Sequence, residues 1–409
     1  MRAALGGDAE AIGRDVLERN AHQLFAVLGE LRGGAMKLGQ TLAVFEPMMP
    51  AEVAEPYHEA LTRLQTQSAG MPAEQVHRVL ARQLGARWRD RFTTFDDEAH
   101  GAASLGQVHG ATWHDGREVA VKVQYPGADT VLAADLRTLR RFAGLVEVAL
   151  PGLDARRLIA EIADRTLEEL DYRTEADHQR RFVAATAGDP EVRVPAVVAS
   201  APAVLVSEWL EGAPLSRWRS DDQDERDRVA GALVEWLFSS PARVGLLHAD
   251  PHPGNVLVLD DGRLGVVDFG AVARLPDGVP AILSRIMRHL ADGDAGAGTD
   301  LAREAGFVTA DTGTEDIVAW VGALAEPVRH ETFHFTEAWM RRQGARVVNP
   351  FSAAHAGTGR ALDLPPEYVQ ILRVTGGWMN VLAQLDVTVA ARDMARRWVP
   401  GFDPTPTVP

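Results

Sequence analysis

Four side chains in HADPHPGNVLVLDDGRLGVVDFG, residues 248–270, stand at a spacing that suits one kind of chemistry. They are His248, Asp250 two residues on, Asn255 five after that, and Asp268 at the head of an Asp-Phe-Gly run. Phosphoryl transfer needs a divalent metal on the nucleotide phosphates and a group that aligns the attacking oxygen. Mg²⁺ prefers hard oxygen ligands, and Asn255 offers a neutral one and Asp268 an anionic one. Asp250 can orient or deprotonate an acceptor, or hold a water. An Asp and an Asn five apart, then a strand hairpin ending in Asp-Phe-Gly, is the order found in kinase loops. A lone Asp-Phe-Gly would read as a turn beside a buried strand pair; the complete set in order reads as chemistry.

Upstream, EVAVKVQY (118–125) reads as a strand with Val119, Val121 and Val123 on one face and Lys122 on the other. A lysine in so apolar a strand needs a partner. It reads either as the lysine that holds nucleotide phosphates or as an edge-strand charge that blunts aggregation; with the downstream set present, the first reading prevails. Its carboxylate should come from LEELDYRTEADHQRRF, where Glu169, Asp171 and Glu175 are expected over about two turns of one helix. A solvated acidic face is the alternative for each. The loop over the phosphates would be GAASLGQVHG (101–110), in which Ala102, Ala103 and Ser104 fill the bend that glycines usually occupy. Alanine is more restricted than glycine, so this loop should be stiff, with amides less free to wrap a triphosphate. VLVSEWLEG (204–212) runs from a strand into a linker at Glu208, Trp209 and Leu210, either a backbone site for an adenine edge or a plain connector.

These residues need a frame. Short β-type runs cluster at 92–125, with a turn at His114–Gly116, and again at 192–210; NVLVL and LGVVDF flank a turn at Asp260–Gly262. Residues 127–185 and most of the chain after 220 have helical periodicity, with Ser220 or Asp221 as the expected cap of the helix that follows. The pattern predicts an α+β chain in two lobes: a helical extension over 1–90, a β-rich lobe with a helical insert over 91–210, and a mostly helical lobe over 211–409. The chain has 409 residues, a net charge of −15 and no cysteine. That acidity argues against a nucleic-acid partner. The missing cysteine removes disulfides, thiolate metal sites and cysteine nucleophiles. The N-terminus does not read as a secretory signal, which fits a cytoplasmic location. The apolar stretch ILRVTGGWMNVLAQLDVTVAA carries Arg373, Asn380, Gln384 and Asp386 and reads as a buried helix pair, not a membrane span.

MKLGQTLAVF (36–45) sets Lys37 and Gln40 together, opposite an apolar stripe that includes Leu38, Leu42 and Phe45. With the runs above, this motif gives the chain a resemblance to the ABC1/UbiB family of atypical kinases, the AarF-like and COQ8-like proteins, over about residues 25–290. The matching motifs are Lys37-x-Gly39-Gln40, the alanine-rich loop 102–109, Val-Ala-Val-Lys ending at Lys122, Glu169-x-Asp171, His248-x-Asp250 with Asn255, and Asp268-Phe269-Gly270. Gly101 departs from the family, which commonly has alanine there.

The resemblance implies a bilobal protein-kinase-like fold whose helical extension folds over the active site. It implies ATP and Mg²⁺ as cofactors, a Lys122–Glu175 pair, and Asn255 and Asp268 as metal ligands. Lys37 and Gln40 would point into the pocket and meet Glu169 and Asp171, gating it. The family's links to isoprenoid-quinone biosynthesis and lipid homeostasis imply a quinone-like or lipid substrate and peripheral contact with the inner membrane face. Two other readings fit part of the pattern: a small-molecule phosphotransferase of the aminoglycoside or choline kinase type, and a non-catalytic nucleotide-gated scaffold. Neither the acceptor nor the oligomeric state follows from the sequence.

Overall fold

A computed structural model describes residues 70–103, 105–130, 133, 170–308, 313–347 and 366–403. Lys37, Gln40, Ser104 and Glu169 lie outside these residues, as do the 36–45 run and most of the extension and insert.

Helix α1 (Ala73–Leu84) buries Val76, Val79 and Leu80, spaced three and four apart. It packs this stripe on a six-stranded antiparallel sheet. Strands β1 (Phe92–Phe95), β2 (Gly101–Ala103), β3 (Gly106–Trp113) and β4 (Glu118–Gln124) come first along the chain. Helix α2 (Tyr172–Ala185), the short β5 (Val192–Arg193), β6 (Val197–Ala201) and β7 (Val204–Glu208) follow. The sheet order is β1-β3-β4-β7-β6, with β2 beside β3. The turn expected at His114–Gly116 closes β3 onto β4: Trp113 N–H donates to Arg117 O at 2.7 Å. Gly116 takes φ 91°, which suits a residue without a Cβ. Val119, Val121 and Val123 are fully buried, so β4 alternates as expected and turns Lys122 to the opposite face.

Past β8 (Gly212–Pro214) the chain is mainly helical. Helix α3 (Gln223–Val244) is capped by Asp222, whose side chain accepts from Asp224 N–H at 3.0 Å. The cap thus lies just past both expected positions, Ser220 and Asp221; the Ser220 hydroxyl donates to Glu225 and accepts from Asp222 N–H. A four-stranded sheet joins β5, β11 (Leu264–Val266), β10 (Val256–Leu259) and β8, while β9 (Leu246–His248) pairs with β12 (Val272–Arg274). Helices α4 (Ala281–Ala291), α5 (Ala295–Glu304), α6 (Thr314–Ala325), α7 (Glu337–Val347), α8 (Pro366–Leu385) and α9 (Ala391–Trp398) complete the described chain. Their apolar faces meet in one core with Trp236, Phe269 and Trp378 among its most buried side chains.

The expected buried helix pair near the C-terminus is instead helix α8 followed by a strand. Asp386 adopts φ 55° after α8 ends. The chain then forms β14 (Val387–Val389) against β13 (Phe333–Phe335) before α9 begins. Among the described residues no helix is long and apolar enough to cross a membrane.

Candidate active site

The site forms where β4, α2 and the β10–β11 hairpin meet. Gln124, at the end of β4, donates to Leu170 O at 2.9 Å, and Tyr172 N–H donates to Pro202 O at 3.0 Å. These bonds dock the start of α2 onto the sheet. Asp171 caps the helix, accepting from Arg173 N–H at 3.0 Å. This corrects the expectation that Asp171 and Glu175 share one helix: the helix begins after Asp171, and Glu175 stands in its first turn. Glu175 therefore points inward and takes Lys122 Nζ at 2.8 and 2.9 Å. Asp171 is held by the Arg173 guanidinium, which keeps its carboxyl below the usual range.

A second carboxylate reaches the same lysine, with Asp268 3.2 Å from Nζ. The Tyr172 ring centroid lies 5.1 Å from Nζ, within cation–π range. Burial pushes the ammonium pKa down, but the Asp268 and Glu175 charges outweigh it and hold Lys122 well above the usual lysine value. One cation between two carboxylates leaves a formal charge of −1, so a divalent metal cation meets no excess positive charge here.

Asp268 sits at φ 61°, a left-handed conformation that costs a non-glycine residue roughly 1–2 kcal/mol. Its neighbours hold it there. His248 Nε2 donates to Asp268 O at 2.7 Å, and Gly270 N–H donates to Asp268 Oδ1 at 3.2 Å. Phe269 is fully buried, its ring 4.8 Å from Phe182 and 5.5 Å from His248. The strained backbone turns the carboxylate toward Lys122 while the phenyl ring anchors the turn.

Asn255 Nδ2 donates to Asp250 Oδ2 at 2.9 Å. That bond assigns the amide orientation and leaves Asn255 Oδ1 as an acceptor. Val267 N–H donates to Asn255 O at 2.9 Å, and β10 pairs with β11 through Val256 and Val266. The hairpin thus sets Asn255 beside the residue that precedes Asp268. Two oxygen donors, one amide and one carboxylate, fit Mg²⁺, which completes its octahedron with phosphate oxygens and water.

In the alanine-rich segment β2 pairs antiparallel with β3, with Ala103 opposite Gly106 and Ala102 opposite Gln107. Tyr125 N–H donates to Leu105 O at 2.9 Å, tying Leu105 to the end of β4. Buried Gln107 accepts from Met71 N–H at 2.6 Å and bonds His109 Nε2 at 2.9 Å, and His109 Nδ1 donates to Asp96 O at 2.8 Å. The motif's Gln and His are therefore braces beneath this strand pair. Gly106 is fixed by close approach: a Cβ there would stand 2.3 Å from Val123 O and 2.9 Å from the Tyr172 hydroxyl. Gly106→Ala should lower stability by about 1–3 kcal/mol, the usual cost of overpacking. A urea midpoint that does not move would show that this strand pair is not seated on β4.

The linker begins where β7 ends at Glu208. The Glu208 carboxylate takes Ala196 N–H at 3.0 Å, and Trp209 N–H donates to Glu118 O at 3.0 Å. Leu210 N–H has no backbone partner among the described residues.

Lys122, Glu175 and Asp268 are thus in direct contact, as are Asp250 and Asn255. Asp171 faces Arg173 at the helix start. Sequence reasoning gave no role to Tyr172, Gln179 or Phe182. They had a signal: with Glu175 they recur at intervals of three and four, so an inward stripe of α2 contains the one carboxylate that enters the core.

Residues 63–300 match the ABC1 atypical kinase-like domain family. A chloroplastic Arabidopsis thaliana protein, ACTIVITY OF BC1 COMPLEX KINASE 1, is 33% identical over 76% of this chain and 47% of its own length. The mitochondrial atypical kinase coq-8 of Caenorhabditis elegans is 31% identical over 91% of this chain and 50% of its own. This chain thus spans about half the length of these two relatives. A Mycobacterium tuberculosis protein solved in complex with erythromycin is 41% identical, with a TM-score of 0.72 over 97% of this chain and 100% of that one.

Proposed function

The chain belongs to the ABC1 family of atypical kinase-like proteins, and on that premise we propose that it binds Mg²⁺–ATP and cleaves the terminal phosphoryl group. The observation that carries this reading is Lys122 bonded to both Glu175 and Asp268. Lys122 then steers the α- and β-phosphates, Asn255 Oδ1 and Asp268 hold the metal, and Asp250 aligns the attacking oxygen. The metal supplies charge neutralisation on the phosphates when bound. The Ala102–Ala103–Ser104 tip covers the phosphates, and the Glu208 and Leu210 backbone receives the adenine edge. Lys37, Gln40, Glu169 and Asp171 form the gate, which keeps peptides out and leaves water or a small lipid-like acceptor. We place that acceptor among quinone-like phenols at a membrane surface, as the family resemblance implies.

The test is phosphate release from ATP, with and without anionic vesicles and a phenolic quinone precursor mimic. Magnesium-dependent turnover that rises with vesicles is expected. Phosphate found on the phenol identifies a kinase, and inorganic phosphate alone identifies an ATPase. No nucleotide binding at all would overturn the proposal.

One finding favours a further ligand class. The Mycobacterium tuberculosis structure that matches nearly the whole chain holds erythromycin. We propose that this chain also takes a bulky macrolide-like ligand of that kind, so erythromycin should raise its unfolding temperature and alter ATP turnover; no change in either would remove this reading.

A further inference from the structure

Helix α8 begins at Pro366, well past the matched residues 63–300, yet its backbone lies against the loop that carries Asp250. Arg373 Nη2 donates to Ala249 O at 2.9 Å. One helical turn on, Gly377 faces Pro251: a Cβ there would stand 2.5 Å from Pro251 Cγ and 2.8 Å from Pro251 Cβ. Residues four apart share a helix face. The two residues touched, Ala249 and Pro251, are those on either side of Asp250.

The loop is held from the other side as well. Ala249 N–H donates to Ala271 O at 2.9 Å, just beyond the Asp-Phe-Gly turn. The peptide unit after Ala249 has its carbonyl fixed by a guanidinium, and the unit before it has its N–H fixed by Ala271, which leads into β12. A proline ring closed on its own backbone cannot swing aside as a long side chain would, so the space at Gly377 sets the loop's height.

We infer that α8 is a working part of the active centre, with Arg373 and Gly377 as positioning residues that aim Asp250. This deepens the proposed phosphoryl-transfer role and rests on it for its effect on rate. A charged donor on a buried carbonyl and a helix glycine shaped to a single proline are both unneeded if α8 merely fills the core. The Arg373 bond sets the direction of the carbonyl that leads into Asp250. The missing Cβ at Gly377 lets the helix axis come close enough for that bond to form.

The neighbouring glycine supplies the control. A Cβ on Gly376 would meet no described atom within 4 Å. Alanine is the better helix former at both positions, so helix propensity cannot separate the two variants, and contact with the loop can. Gly377→Ala, Gly376→Ala, Arg373→Gln and Arg373→Lys are compared in the full chain by amide hydrogen exchange over residues 248–256 and by ATP kinetics. Gly377→Ala and Arg373→Gln should speed exchange in that loop and lower kcat roughly 10- to 100-fold, the scale of losing one charged hydrogen bond, with KM for ATP unchanged. Arg373→Lys, which keeps a donor, should recover part of the loss, and Gly376→Ala should match wild type. Equal exchange in Gly377→Ala and Gly376→Ala would overturn the inference. Wild-type protein without turnover would instead defeat the functional proposal, and the exchange comparison would still decide whether α8 positions the loop.

Discussion

Asp268→Asn is expected to cut ATP turnover by about 10²- to 10³-fold, the scale of removing one preorganised electrostatic group from a transition state, while the fold survives. The fold should survive because the replacement is nearly isosteric. Asparagine tolerates the left-handed backbone at φ 61° as aspartate does. Its amide oxygen can still accept from Gly270 N–H, and Lys122 keeps Glu175 as a counter-charge. What disappears is the proposed anionic metal ligand. Two consequences separate this from general damage. The magnesium concentration for half-maximal rate should rise, and urea unfolding should match wild type. Turnover equal to wild type at every magnesium concentration would remove Asp268 from the metal site.

How much of this was legible beforehand differs from residue to residue. Lys122 was readable because strand alternation is strict: three buried valines fix the opposite face without any tertiary information. Asp250, Asn255 and Asp268 were readable because a hairpin sets their separation locally. Among the carboxylates, the linear run of charges could not decide which one enters the core. That depends on where α2 starts, and its start is set by Gln124 and Pro202, which are distant in sequence. The cap at Asp222 was missed because Ser220, Asp221 and Asp222 are all good capping residues, and local sequence cannot rank them. The strand after α8 was missed because β14 has three residues and gains its identity only by pairing with β13. Arg373 read only as a polar residue of a buried helix, and Gly377 carried no signal, until the loop they touch is known. Local periodicity therefore located the residues of the candidate site, and long-range docking decided which of them come into contact.

Lys122→Met should be the costliest single change to stability, about 3–5 kcal/mol, the range for removing one partner of a buried ion pair. Glu175 is only 5% exposed, so its carboxylate would be left buried without its ammonium. The pH dependence distinguishes this mechanism from loss of packing. In the wild type the folded-state pKa of Lys122 is raised above the usual 10.5. Its contribution is therefore complete at every pH below that value and fades only as pH rises through the higher folded-state one; from pH 5 to 8 it is flat. In the variant the sign reverses and the group changes. Burial without a cation raises the Glu175 pKa above its unfolded value. The folded state then binds more protons than the unfolded one, so the variant gains stability as pH falls from 8 to 5. Chemical unfolding of both proteins across that range reads the difference directly. The double variant Lys122→Met/Glu175→Leu should regain much of the stability, because a buried pair replaced by apolar groups is often neutral, yet its turnover should stay as low as that of the single variant. A loss below about 1 kcal/mol, the scale of an exposed pair, with no pH dependence would mean that Lys122 and Glu175 are solvated in solution and cannot form the dry phosphate-binding pair on which the catalytic reading depends.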